Sequence, residues 1–385
     1  MRRVNPFASA ILALALLLSS SCGTRQAPPV AGPAAPPPSA APAAPAPSAA
    51  TSALVFPGAD WERIADPASA GWSPASLDAA RAELSKLGST AFMAVAGGRV
   101  LMEYGDVTVV SYLASVRKSV LSMLFGSYVA SGKVRLHRTL AEIGIDEIEP
   151  LTPEEQKATV LNLLTARSGI YHRASNSGDD LASAPPHGSQ PPGTYYLYSN
   201  WDFNALGTIF EKETGRDIYD ALQSDLVEPI GMRDFDRTAH RRTGNAKASL
   251  HLAYHMNFST RDMARIGYLM LRGGTWNGTP VVPADWVRES TRAFTPVTEM
   301  NPVRRREGPF GYGYLWWVWD GPQATGPYRG AYTGLGAVGQ HITVLPALDL
   351  VVVHKTDPRT KRSVSHQQYL AVLDLLVKGH TTSQK

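Results

Sequence analysis

The sequence predicts an α+β protein in which an antiparallel β-sheet from N- and C-terminal segments is flanked by helices and carries an inserted, mostly helical lobe. Three observations lead to this prediction. Residues 91–104 have a strand–turn–strand pattern, residues 139–293 are mainly helical in their periodicity, and strand patterns return between residues 313 and 354. Strands that are distant in sequence can pair in one sheet, so we place the helical stretch as an insertion between the strands. A functional site is then expected between the sheet and the helical lobe.

The elements follow in chain order. In residues 91–104, two apolar runs flank Gly97-Gly98-Arg99, which has the composition of a tight turn. Apolar residues recur at helical spacing over residues 115–131, and Gly132 provides a C-terminal stop. Similar patterns predict further helices over 159–166, 201–214, 218–227, 260–272, 283–291 and 365–378, and strands over 313–319, 340–345 and 350–354.

The first 53 residues are predicted to be a signal and a linker. Two arginines precede an apolar run of about a dozen residues, which is too short to cross a bilayer as a helix, and small residues then lead to Cys22. Residues 1–22 thus resemble a bacterial lipoprotein signal with Cys22 as the lipidated residue, although Ser19 stands where such signals usually carry Leu. Secretion with cleavage nearby is the alternative.

The domain boundary follows from composition. Residues 23–53 are rich in Ala, Pro and Ser, which predicts a disordered linker, and residues 54–385 are expected to form the folded domain. We therefore expect an exported protein on the periplasmic or cell-surface side, anchored to the membrane through Cys22. Cys22 is the only cysteine, so a disulfide within the chain is excluded.

Composition and motif searches exclude several function classes. The formal charge of +4 is small for 385 residues, and the short run 304–306 of arginines is interpreted as a solvated loop, so no nucleic-acid partner is expected. His251 and His255 lack a third ligand in sequence, and no metal or cofactor is predicted. No Gly-x-Ser-x-Gly elbow occurs, which argues against the α/β-hydrolase fold.

Ser115 and Lys118 are the first candidate catalytic residues. They lie three apart at the start of a predicted helix, so they share one face. A serine hydroxyl needs a neighbour to take its proton, and a lysine can do so only when burial or nearby positive charge lowers its pKa. The helix N-terminus adds N–H groups that suit a developing oxyanion.

Tyr198-Ser199-Asn200 forms the second motif, with Tyr198 83 residues after Ser115. With it the chain resembles the serine β-lactamase and penicillin-binding protein superfamily, and in particular its class C β-lactamase-like branch of esterases, D-aminopeptidases, DD-peptidases and nylon-oligomer hydrolases. That family pairs Ser-x-x-Lys with Tyr-x-Asn. Three further segments resemble the family over most of the chain after residue 54: 163–170, 228–232 and 311–314.

The third motif of the family is a Lys/His-x-Gly or Gly-x-Gly element on a strand. Gly334-Leu335-Gly336 is the preferred match here, and Tyr332-Thr333-Gly334 is the alternative. In both alignments the Lys or His is absent. Arg329, a few residues upstream, is the cation that could replace it.

The resemblance implies a hydrolase of amides or esters that acts through an acyl-enzyme on Ser115. Lys118 takes the serine proton, and Tyr198, with its pKa lowered by positive charge, relays a proton to the leaving group. Asn200 orients Lys118 or binds the substrate amide, Gly334 and Gly336 line the substrate strand, and a backbone N–H near Ala337 completes the oxyanion hole. The expected partner is a small-molecule or peptide-like substrate.

Two other functions stay open at this point. One is a non-catalytic or weakly catalytic peptidoglycan-binding protein on the same fold, and the other is a true β-lactamase or DD-peptidase.

Overall fold

A seven-stranded antiparallel sheet forms the centre of the fold, in the strand order β2-β1-β13-β12-β11-β10-β9. The computed structural model describes residues 54–381. The signal, linker and Cys22 predictions lie outside these residues. Within them the fold class is as expected, since strands from both ends of the chain pair in one sheet and the helical segments lie between them.

The strands of the large sheet are β1 (Ala91–Ala96), β2 (Arg99–Gly105), β9 (Phe310–Tyr312), β10 (Trp317–Trp319), β11 (Tyr332–Gly336), β12 (Gln340–Leu345) and β13 (Leu350–Lys355). The shorter strands are β3 (Ser111–Tyr112), β4 (Arg241–Thr243), β5 (Ala253–His255), β6 (Asn257–Phe258), β7 (Thr275–Trp276) and β8 (Thr279–Pro280). The helices are α1 (Pro74–Lys86), α2 (Val116–Ala130), α3 (Leu140–Ile143), α4 (Val160–Leu164), α5 (Asn200–Thr214), α6 (Ile218–Leu222), α7 (Thr260–Leu271), α8 (Ala284–Ser290) and α9 (His366–Lys378).

The central strands β12 and β13 are buried on both faces because helices cover both. On one face, Gly267 of α7 lies so close to Val351 and Ile342 that a Cβ at this position would meet them at 2.5 and 3.0 Å. On the other face, Thr343 and Tyr369 of α9 share a hydrogen bond of 2.5 Å. This sandwiching explains why both strands are uninterrupted runs of buried residues rather than alternating ones.

Most predicted elements are confirmed, but residues 313–319 do not form one strand. Residues 313–316 form the turn of the β9–β10 hairpin, in which Leu315 adopts a left-handed conformation with φ of 64°, and only residues 317–319 are a strand. Helices α1 and α3 and the three two-stranded sheets β3–β6, β4–β5 and β7–β8 are not predicted from the sequence patterns. Ser73 caps α1 ahead of Pro74, a start signal that is present in the sequence.

None of the helices described between residues 54 and 381 combines the length and the apolar character that crossing a membrane requires.

Candidate active site

Ser115 lies at the entrance to α2, and Lys118 lies in its first turn. Ala114 has a φ of 49°, so the chain turns sharply into the helix and leaves the Ser115 side chain half-buried at its start. Residues 116–126 of α2 are all buried. The helix therefore carries a serine that substrate can reach and a lysine that water cannot.

Lys118 Nζ lies within hydrogen-bond distance of three oxygens. The distances are 3.0 Å to Ser115 Oγ, 2.6 Å to Tyr198 Oη and 2.7 Å to Asn200 Oδ1. The structure thus brings together the four residues of the first two motifs. The two motifs are 80 or more residues apart in sequence.

Asn200, at the first position of α5, is fixed in one orientation. Its Nδ2 donates to the carbonyl of Ser177 at 2.9 Å, and its backbone N–H donates to Asp179 Oδ2 at 2.9 Å. The side-chain oxygen therefore faces Lys118 Nζ. From the sequence, Asn200 is expected either to orient Lys118 or to bind the substrate amide. This geometry fits the first role.

The pKa of Lys118 is held well below its usual range. Complete burial is the main cause, and the nearby guanidinium groups of Arg117 and Arg305 lower the pKa further against the opposing charge of Asp179. A neutral amine has two N–H donors and one lone pair. One N–H can donate to Asn200 Oδ1, which leaves the lone pair to accept a proton from a neighbouring hydroxyl.

Tyr198 has a pKa raised to about 12, so the expectation of a lowered pKa is wrong. Burial of the phenol is the largest cause, and it outweighs a hydrogen bond with Ser115 and the positive charges of Arg117 and Arg305. Because burial and the nearby guanidinium groups also disfavour the protonated form of Lys118, its amine contributes little to stabilising a phenolate. Tyr198 is therefore a neutral hydroxyl that can donate and accept within a relay.

Arg117 is a feature of the site that the sequence analysis missed. Its side chain is buried, its Nη2 donates to Asn204 Oδ1 at 3.0 Å, and its guanidinium lies 4.7 Å from the centre of the Tyr254 ring. Within residues 54–381, no carboxylate forms an ion pair with it. A buried charge without a counter-ion acts strongly on its neighbours, and here it disfavours protonated Lys118.

Arg117→Gln is expected to move the acid limb of the kcat/KM–pH profile to higher pH, because the guanidinium lowers the pKa of Lys118. Lys118 must be neutral to accept a proton, so activity falls as the pH drops through its pKa, and removing Arg117 raises that pKa. Arg117→Lys keeps the charge and is the matched control. Superimposable profiles for the Gln and Lys variants would contradict this role.

Gly334 and Gly336 place β11 directly against the start of α2. A Cβ on Gly336 would lie 2.6 Å from the Leu113 carbonyl oxygen and 3.1 Å from Ser115 N, and one on Gly334 would lie 3.1 Å from Ser119 Oγ. Glycine is therefore required here for close backbone approach. Tyr332 instead packs in the core, edge-on to Trp316.

The strand β11 has one open edge beside the nucleophile. Its pairing with β10 ends at Thr333, whereas its pairing with β12 continues to Gly336. Ala337 is exposed immediately after Gly336. The roles of these residues in holding substrate and oxyanion stay predictions.

A cleft of about 500 Å³ adjoins the site. Leu335, Phe310 and Trp317 contribute apolar groups to its lining, and Arg305 contributes a guanidinium that lies 5.7 Å from the centre of the Tyr198 ring. Arg329, the expected replacement cation, is exposed and precedes the opposite end of β11.

The run 304–306 is not simply a solvated loop, which corrects the sequence interpretation. Arg304 and Arg305 both form ion pairs with the buried carboxylate of Asp180, at 2.9 and 2.5 Å. Asp180 N donates to the Tyr198 carbonyl at 2.9 Å. The run therefore fixes the segment that presents Tyr198.

The family model for beta-lactamase matches residues 77–368, which include every element of the site. This chain belongs to the beta-lactamase family. The family comprises serine hydrolases that act as esterases, amidases and β-lactamases and also includes penicillin-binding proteins, so the recognition made from the motifs is confirmed.

Relatives within the beta-lactamase family include the 6-aminohexanoate-dimer hydrolase of Paenarthrobacter ureafaciens, which is 29% identical over 43% of this chain and 41% of its own length. The chain thus spans about two fifths of that relative. A putative 6-aminohexanoate-dimer hydrolase from Bacillus anthracis has a similar structure, with a TM-score of 0.59 and 19% identity over 77% of this chain and 80% of its own.

A mutant of a class C β-lactamase also has a similar structure, with a TM-score of 0.58 and 16% identity over 79% of this chain and 96% of its own. At this identity the similarity shows the β-lactamase/transpeptidase-like fold, which confirms the fold expected from the motifs.

Proposed function

We propose that this member of the beta-lactamase family is an exported hydrolase that cleaves uncharged esters or amides through an acyl-enzyme on Ser115. The observation that carries the proposal is the position of Lys118. Its buried amine, with a lowered pKa, lies 3.0 Å from Ser115 Oγ and 2.6 Å from Tyr198 Oη. This is the geometry that general-base activation of a serine requires.

In the first half-reaction, Lys118 accepts the Ser115 hydroxyl proton while Oγ attacks the substrate carbonyl carbon. The negative charge that develops on the carbonyl oxygen is held by the Ser115 N–H at the start of α2 and by an N–H near Ala337. The protonated Lys118 is disfavoured by its burial and by Arg117. It therefore readily returns a proton to the departing group.

Tyr198 connects Lys118 to the leaving group. With a pKa of about 12, its hydroxyl is protonated, so it can pass its proton to the leaving oxygen or nitrogen and take one from Lys118 in the same step. The carbon–oxygen or carbon–nitrogen bond then breaks. A water molecule attacks the acyl-enzyme by the reverse sequence of proton transfers, which releases the acid and restores Ser115.

The preference for uncharged substrates rests on the side chains around β11. Gly334 and Gly336 provide no side chain, Leu335 is apolar, and Arg305 is ion-paired with Asp180. A substrate carboxylate placed beside β11 is thus desolvated without a dedicated cation, which costs on the order of 10²-fold in kcat/KM. β-Lactams and D-Ala-D-Ala peptides carry such a carboxylate. Esters and simple amides do not.

A short-chain p-nitrophenyl ester is therefore expected to give a kcat/KM at least about 10²-fold above that of nitrocefin. Linear amides belong in the same substrate panel because of the similarity to a 6-aminohexanoate-dimer hydrolase. A nitrocefin value above that of the ester would overturn the preference. In that case, loss of the nitrocefin activity in Arg305→Gln but not in Arg329→Gln would identify the cation that binds the carboxylate.

Cys22→Ser is expected to move the protein from the membrane fraction to the soluble fraction. If Cys22 carries the lipid, this variant loses its anchor, since no helix in residues 54–381 is suited to span a membrane. Cell fractionation followed by immunoblotting measures the change. Unaltered membrane association of Cys22→Ser would refute the lipoprotein proposal without affecting the assignment of Ser115.

A further inference from the structure

Three potential metal ligands meet beside the loop between α4 and α5. Glu155 belongs to a short 3₁₀ helix, Glu155–Lys157, and His172 and His187 come from the loop itself. The side chains of Glu155 and His172 are 3% and 5% exposed, and that of His187 is 43% exposed. One ligand atom from each residue lies within 4.8 Å of those of the other two.

Two of these atoms are buried without a hydrogen-bond partner in the described part of the chain. They are Glu155 Oε1 and His172 Nε2. A buried polar atom that has no partner is costly, so its environment calls for an explanation. Each atom does lie beside another group of the cluster, Glu155 Oε1 beside His187 and His172 Nε2 beside Glu155, but neither contact is an aligned hydrogen bond. An ion bound between these side chains would provide a bonding partner for both atoms.

The two imidazoles each contact the Glu155 carboxylate, but at different oxygens. His187 Nε2 lies 3.0 Å from Glu155 Oε1, and His172 Nε2 lies 3.5 Å from Glu155 Oε2. Metal–ligand bonds of about 2.0–2.2 Å at tetrahedral angles separate neighbouring ligands by about 3.3–3.6 Å. All three ligand atoms lie within 4.8 Å of one another, so a modest adjustment of the side chains, mainly of the half-exposed His187, would bring them to these separations.

The surroundings favour a cation and orient the carboxylate. Thr152 donates from both its backbone N–H and its hydroxyl to Glu155 Oε2, at 2.9 and 3.0 Å, which leaves Oε1 beside His187 as the oxygen available to an ion. Glu147 and Glu149 lie close enough to act on His172 electrostatically. Hydrogen bonds and charges that surround the metal-binding side chains in this way hold those side chains in position around protein-bound metals.

We propose that Glu155, His172 and His187 form a zinc site. Two imidazole nitrogens and one carboxylate oxygen are a donor set that Zn²⁺ prefers, with water in the fourth position. The ion would join the 3₁₀ helix to both ends of the segment 172–187. That segment contains Ser177 and Asp179, which fix Asn200, so the site would stabilise one wall of the active site.

The test is a zinc titration of the full chain after treatment with a chelator. The Cys22→Ser form serves as background because it lacks a thiol that would itself bind zinc. We expect one equivalent of Zn²⁺ to bind by calorimetry and to raise the Tm. Co²⁺ added in its place is expected to give the visible absorption of a tetrahedral site with nitrogen and oxygen ligands.

His187→Ala and Glu155→Gln are expected to weaken this binding by about 100-fold or more, since each removes a direct ligand. His187 is half-exposed, so its replacement leaves the packing intact. His137→Ala removes an exposed histidine outside the cluster and is the matched control. Absence of stoichiometric zinc binding, or equal affinity in His187→Ala and His137→Ala, would overturn the proposal.

Discussion

Ser115→Ala is expected to lower kcat on the order of 10⁶-fold, which is the scale of the loss when a serine hydrolase loses its nucleophile. The hydroxyl is the atom that would form the acyl bond, and no neighbouring group can replace it. The fold should be retained because the Ser115 side chain makes no capping hydrogen bond to α2. Steady-state hydrolysis of a p-nitrophenyl ester, together with thermal unfolding, measures both effects.

Ser122→Ala is the matched control for this prediction. Ser122 lies on the same helix, and its hydroxyl is buried without a hydrogen-bond partner in the described residues. We expect it to retain wild-type kcat. If Ser115→Ala kept more than a few per cent of wild-type activity, the nucleophile would have to be another residue.

Lys118→Met and Tyr198→Phe are each expected to lower kcat by about 10²- to 10⁴-fold, the usual contribution of an acid–base group. The methionine matches the shape of the buried lysine but removes the amine that lies 3.0 Å from Ser115 Oγ. The phenylalanine removes only the hydroxyl that lies 2.6 Å from Lys118 Nζ. Because the two groups form one relay, the double variant should lose little more than the worse single variant.

Tyr196→Phe provides a stringent control for Tyr198→Phe. Both tyrosines are buried in the same segment, but the Tyr196 hydroxyl has no hydrogen-bond partner among the described residues. Its removal should leave kcat near wild type. Equal losses in the two variants, or additive losses in the Lys118→Met/Tyr198→Phe pair, would show that the hydroxyl acts through packing rather than proton transfer.

The sequence predicts the local part of the site well. Ser115 and Lys118 are three residues apart, and helix geometry alone places such a pair on one face, so their 3.0 Å contact could be expected. Tyr198 and Asn200 are joined to them by tertiary folding across more than 80 residues. Only the resemblance to a known family could connect them.

What the sequence does not predict depends on burial and on long-range packing. The pKa of Tyr198 is raised rather than lowered because desolvation, which composition does not reveal, outweighs the neighbouring charges. Arg117 is a buried charge beside Lys118, although arginines are usually exposed. Residues 313–319 have the aromatic composition of a strand, so the sequence pattern does not indicate the left-handed turn at Leu315.

The cluster of Glu155, His172 and His187 illustrates the same limit. The three residues are 17 and 15 positions apart, and no metal-binding motif has this spacing. They meet because the loop between α4 and α5 folds back on the short helix at Glu155. Spacing motifs detect ligands on one element, whereas this cluster combines a helix with two distant points of a loop.

The central claim, an acyl-enzyme on Ser115, is tested most directly by mass spectrometry of the protein after reaction with a fluorophosphonate. Intact-mass analysis should show a single adduct, and peptide mapping should place it on Ser115, which is half-buried and open to reagents. The adduct should be absent from Ser115→Ala and present in Ser122→Ala. An adduct on another serine, or unchanged labelling of Ser115→Ala, would contradict the account.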